Sequence, residues 1–120
     1  MVQPYRSWTV RETSTEPIEF QLTRDGAIDG FLVGITSITL MLKNGRTGTW
    51  VQYPSTGGTP QLVVTDAANN IVTFTPDGND DFVATAGFYE AFFWVVDGAG
   101  AKVSFPTGSN YQIYVVGDEA

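Results

Sequence analysis

The sequence predicts an all-β domain, an antiparallel sandwich or small barrel. Three observations carry this: two-residue alternation of apolar and polar side chains, turn residues punctuating it every few positions, and almost no helical periodicity. With 120 residues, 42% hydrophobic and 16% charged, the chain can bury about two-thirds of its surface, enough for one core and not for two.

Residues 17 to 24 form the first clear strand, with Ile18, Phe20 and Leu22 on one face and Glu19, Gln21 and Thr23 on the other, before Asp25-Gly26 turns the chain. Residues 35 to 43 repeat the pattern: Ile38, Leu40 and Leu42 point inward, and Asn44-Gly45 gives the strongest hairpin signal. Trp50 to Tyr53 is the partner strand. The segment from Pro54 to Pro60 is too rich in Gly and Pro to pair, and is expected to be exposed and mobile. Gln61 to Thr65 and Ile71 to Thr75 make a further hairpin through Asp66-Ala-Ala-Asn-Asn70, placing Leu62, Val64, Val72 and Phe74 in the core.

Gly87 to Val96 differs from the other strands because both faces are apolar. Phe88, Phe92, Trp94 and Val96 share one face, Tyr89, Ala91, Phe93 and Val95 the other, and only Glu90 interrupts. Such a strand is central and covered on both sides, or covered on one and presented to a partner on the other. Asp97-Gly98-Ala99-Gly100 turns it into Ala101 to Phe105, and Tyr111 to Val116 closes the chain.

Composition excludes several kinds of chemistry. With no Cys there are no disulfides, thiolate nucleophiles or Cys-type zinc sites, and with no His the commonest general base and metal ligand are missing. Thirteen Asp plus Glu against six Lys plus Arg give a net charge of −7, a field that repels phosphate backbones and anionic lipid. Nucleic acid and membranes are therefore not expected partners. The N-terminus lacks the basic start and apolar stretch of a signal peptide, so the chain reads as soluble and as starting at its own Met1.

Asp77, Asp80 and Asp81 place oxygen ligands close together, as Ca²⁺ requires, but their spacing does not fit the twelve-residue calcium loop. The competing reading is that Asp80 or Asp81 caps a single helical turn ahead of the strand at 87. No metal or other cofactor is expected. No Gly-x-Ser-x-Gly elbow is present, a paired-carboxylate hydrolase would need a cleft that a sandwich this small scarcely offers, and no enzymatic activity is expected. Trp8, Trp50, Tyr53, Tyr111 and Tyr114 lie on short or terminal strands, where they either fill the ends of the sandwich or form a row of exposed rings.

The stretch Thr85-Ala86-Gly87-Phe88-Tyr89-Glu90-Ala91-Phe92 resembles the entry into strand F of immunoglobulin-like domains, where a Tyr bonds back across a corner; Ala91 stands where an antibody domain has Cys. More specifically, Ile18-Glu-Phe-Gln-Leu22, Ile38-Thr-Leu-Met-Leu42, Asn70-Ile-Val-Thr-Phe74, Ala86-Gly-Phe-Tyr-Glu-Ala91, Asp97-Gly98 and Phe105-Pro106 follow an order similar to the N-terminal domain of the bacteriophage baseplate upper protein family. That similarity covers roughly residues 17 to 116. It implies an immunoglobulin-like antiparallel β-sandwich of about seven to nine strands. It also implies a role in attaching other components to a virion without catalysis.

The expectation is thus a structural component of a tailed-phage particle, at the baseplate, tail, neck or capsid surface. It would dock to other phage structural proteins, as a homo-oligomer within the particle, reaching the virion after assembly in the host cytoplasm. Residues 1 to 16 form an N-terminal arm or a first edge strand, 17 to 116 the sandwich, and 117 to 120 a tail. The expected docking residues are Trp8, Val10 and Arg11 of the arm, able to add to another subunit's sheet edge, and Tyr89, Phe93 and Val95 of one sheet face. The alternative is a carbohydrate-binding or adhesion module using Trp50, Tyr53 and the adjoining 54 to 60 loop.

Overall fold

In the computed structural model, which describes residues 7–23, 28–56, 60–78, 82–105 and 110–117, the alternation resolves into short strands. They are β1 (Ser7–Arg11), β2 (Ile18–Gln21), β3 (Ser37–Asn44), β4 (Trp50–Pro54), β5 (Leu62–Asp66), β6 (Ile71–Phe74), β7 (Gly87–Val96), β8 (Lys102–Phe105) and β9 (Tyr111–Val116). Single 3-10 turns at Ala67–Asn69 and Phe82–Ala84 complete the described elements.

Two sheets pack face to face. One runs β1-β9-β7-β3-β4 with β8 also on β7, and the other runs β2-β6-β5. Every pairing is antiparallel except β1 with β9. This is the immunoglobulin-like sandwich: β2, β6 and β5 take the places of strands B, E and D, and β9, β7 and β3 those of G, F and C. The last strand is split. β8 pairs with the C-terminal half of β7 (Phe93↔Phe105) and β9 with its N-terminal half (Ala91↔Tyr111). Two steps along β7 thus correspond to six along its neighbour, which is a four-residue insertion in the middle of one edge.

The inward faces supply the core predicted from periodicity: Ile18, Phe20 and Leu22 face Ile38, Leu40 and Leu42, with Leu62, Val72 and Phe74 closing one side. Val64 is only half-buried. Phe20 of β2 meets Phe93 of β7 edge-on at 5.1 Å, bridging the sheets two residues along β7 from Ala91. Ala91 is fully buried beside it.

The β3–β4 hairpin forms as expected from Asn44-Gly45. The Asn44 side chain accepts from Arg46 N (2.8 Å) and Thr47 N (3.1 Å), and the chain reverses over residues 45–49 with Gly48 at φ 73°. Gly45 takes no positive φ; its N–H donates to the Phe88 carbonyl at 2.8 Å, and the Phe88 ring and carbonyl leave no room for a Cβ. Of the two readings of the N-terminal segment, arm or first edge strand, the edge strand is the one that forms. From Ser7 onward it is the domain's own edge strand, paired with β9 from Ser7↔Gln112 to Arg11↔Val116. Residues 1–6 of that expectation, the 25–26 turn, positions 57–59 of the loop after β4 and the 118–120 tail lie outside the described residues.

Candidate functional site

The expected docking face of β7 is corrected, which decides the face that is available. Tyr89, Phe93 and Val95, expected at a docking surface, are all in the core, because the alternation aims them at the second sheet. Trp8 and Val10 of β1 point the same way and pack on that core. The Trp8 ring lies 4.6 Å from Phe20 and 5.5 Å from Tyr111, and its Nε1 donates to the Glu19 carbonyl at 3.1 Å. Of the six expected docking residues only Arg11 is exposed.

The expected glycan pair is also separated. Trp50 faces outward and is 43% exposed. Tyr53, three residues on, turns inward: its ring packs edge-on to Phe74 at 4.9 Å and its Oη accepts from Phe82 N at 3.0 Å. An odd spacing on a strand puts two side chains on opposite faces, so these two cannot grip one sugar. Of the acidic run, Asp80 and Asp81 lie outside the described residues, and no metal-binding cluster of three or more His, Cys, Asp or Glu occurs among the described ones.

What the structure does bring together is the other face of the larger sheet. Registers place Phe88 beside Tyr114, Glu90 beside Gln112 and Lys43, and Lys43 beside Trp50; Phe92 and Trp94 follow along β7. Their rings touch in two groups. Phe88 lies 5.2 Å from Tyr114, while Phe92 lies 5.5 Å from Trp50 and 5.3 Å from Trp94, both edge-on. Met41, Val96 and Val116 extend the apolar surface, and beside Trp94 lies a depression of about 410 Å³ lined by Thr39, Met41, Gln52, Trp94, Val96 and Lys102.

Cations border these rings. Lys102 Nζ sits 4.4 Å from the Trp94 ring centroid and Lys43 Nζ 5.8 Å from that of Trp50, within the range of cation–π attraction. Neither lysine is ion-paired with a carboxylate among the described residues. With Arg11 also on this face and Glu90 its one described acid, the surface is locally positive on a chain of net charge −7. Edge-on rings with cations over two of them do not form the coplanar platform on which a sugar stacks. They present a ridged apolar surface with a charged border, the form of a protein contact.

The sequence grouped this surface as the Phe88, Phe92, Trp94, Val96 set, but the opposite set, Tyr89, Phe93 and Val95, was the one expected to face a partner. Compared with known proteins, the chain matches no protein-family model and no curated protein. No helix among the described residues is long and apolar enough to cross a membrane.

Proposed function

We propose that this chain is a non-catalytic docking domain, a structural component of a tailed-phage particle that joins neighbouring virion proteins through the outward face of its larger sheet. The observation that carries docking is the set Trp50, Phe92, Trp94, Phe88 and Tyr114 on the outer face of three strands, Trp50, Phe88 and Tyr114 exposed and Phe92 and Trp94 half-buried. Exposed clusters of large aromatic rings rimmed by polar side chains mark interaction sites. The phage assignment rests on the resemblance of residues 17 to 116 to baseplate upper protein N-terminal domains, and the sandwich fold agrees with that resemblance without singling it out.

The test is peptide mass spectrometry on purified particles from a phage carrying this gene, with complementation by Phe92→Asp. The chain is expected in the particles at a fixed ratio to the major structural proteins, and the variant is expected to fold and be left out. Particles free of the chain would reject the virion role, and a variant incorporated like the parent would reject docking through this face.

A further inference from the structure

We propose that the outward face of the larger sheet is covered by a second copy of this chain, packed face to face about a two-fold axis crossing β7 between Phe92 and Trp94. The inference rests on the docking reading above and names its partner.

Area is the first argument. Five strands spaced at about 4.8 Å and about 25 Å long present roughly 600 Å² of sheet surface. That approaches the roughly 800 Å² each partner contributes to a standard interface. The surface is also self-sufficient in hydrogen bonding, because β9, β7 and β3 satisfy their backbone groups within the sheet. A copy can therefore lie on it side chain to side chain, as the two sheets of a sandwich do, with no polar backbone left orphaned.

The pattern of charge selects the axis. A two-fold axis running along β7 would set Glu90 against Glu90, and one running between β7 and β3 would set Glu90 against Lys43 but leave Lys102 with no acid to meet among the described residues. An axis across the strands midway between Phe92 and Trp94 exchanges these two residues, so each Phe92 meets the Trp94 of the other copy. The same operation carries Glu90 to the level of Val96. Lys102 is the register partner of Val96 on β8, so the second copy's Lys102 comes within a lysine's reach of Glu90. Lys102 now rests over its own Trp94 without a carboxylate partner, and Glu90 receives only a long contact of 3.5 Å from Asn110 Nδ2. Each copy thus holds one unpaired donor and one under-used acceptor, at positions this axis brings together.

Sedimentation velocity from about 1 to about 500 µM tests it, a range that spans dissociation constants of moderate protein contacts. The chain is expected to dimerise. Phe92→Asp, which would bury two carboxylates per dimer, is expected to weaken association at least about 100-fold. Lys102→Glu, at an exposed position that leaves folding intact, should weaken it about ten-fold, and Glu90→Lys combined with Lys102→Glu should restore it to within about three-fold of the parent. A monomer at every concentration, a dimer indifferent to Phe92→Asp, or a double variant no better than Lys102→Glu alone would each overturn the proposal. A monomeric parent whose Phe92→Asp variant is still excluded from particles overturns this inference and leaves docking to another protein standing.

Discussion

Tyr89 Oη donates to the carbonyl of Thr85 at 2.9 Å, tying the start of β7 to the turn that precedes it. The two residues are four apart, and the ring between them is 4% exposed and packs edge-on to Phe82 at 5.4 Å. This is the corner that the Ala86-Gly-Phe-Tyr pattern suggested, and the one side-chain contact legible from a motif. Tyr89→Phe keeps the ring and removes the bond. Because Thr85 is exposed, water can take over its carbonyl, so the loss is expected at about 1 kcal/mol in urea unfolding.

The same phenol makes stability pH-dependent. Desolvation by burial raises its pKa above the ordinary 10.0, and Glu12 adds to the rise while Arg46 opposes it. A pKa raised in the folded state means that the protonated phenol is favoured by folding. Its contribution is therefore complete below pH 10 and is lost as pH climbs through the folded-state value. Melting temperature measured from pH 8 to about 11 should fall more steeply for the parent than for Tyr89→Phe, because only the parent must ionise this buried group.

Asn70 is the buried polar residue on which one end of the sandwich depends. It is fully buried at φ 56°; its Oδ1 accepts from Leu32 N (3.2 Å), and its Nδ2 donates to the Leu22 carbonyl and to Asp29 Oδ1, both at 3.0 Å. Asn70→Ala would leave Leu32 N and Leu22 O without these partners and keep the left-handed backbone, at an expected cost of about 3 to 4 kcal/mol. Asn70→Asp should be at least as damaging, since a carboxylate cannot donate to Leu22 and would face Asp29. Equilibrium unfolding of both variants checks the order. An Asn70→Asp variant as stable as the parent would mean that the two bonds donated by the amide contribute nothing to stability.

The strand pattern was readable because burial on one face imposes a period of two, and that period placed β3, β6, β7 and β9 within a residue or two of where they lie. The sequence could not announce the role of Asn70. In Asp66-Ala-Ala-Asn-Asn70 both asparagines suit a turn, and only the left-handed conformation at the second sends its amide to Leu22, Asp29 and Leu32, which are remote in sequence. The outward face was half legible. Its residues were grouped correctly, but choosing between the two apolar sides of β7 needed the position of the second sheet. The N-terminal segment reads as either arm or edge strand for a related reason: Thr13-Ser-Thr-Glu-Pro17 carries no alternation that ties it to the core. In the fold Thr13 takes φ 65° and donates its N–H to the Val83 carbonyl at 3.0 Å, turning the chain back onto the body.

That turn sets the tolerance at Gly78. Gly78 is buried at φ 80°, and a Cβ there would lie 2.6 Å from the Thr13 carbonyl oxygen, a backbone atom that cannot swing aside. Gly78→Ala therefore combines an unfavourable dihedral with a collision, and is expected to cost about 2 to 3 kcal/mol. A Thr13→Gly background, which removes the strain on the other side of the contact, should recover part of the loss. Thermal unfolding of the single and double variants measures the coupling, and full additivity would mean that the two turns do not bear on each other.

The N-terminal strand yields the sharpest stability test. An arm reaching to another subunit could be removed without consequence for the isolated domain, whereas β1 closes the β9 edge and plugs the core with Trp8. Deleting residues 1–12 should lower the unfolding free energy by several kcal/mol, because it uncovers Phe20 and Tyr111 and frees the edge of β9. Trp8→Ala alone should account for about 3 to 5 kcal/mol of that loss. Amide exchange then separates the strand from the indole: in the deletion, the β9 amides directed toward β1 lose protection, while in Trp8→Ala the β1–β9 register keeps them slow. A truncated domain as stable as the parent would show that β1 contributes nothing to the fold and return it to the role of an arm.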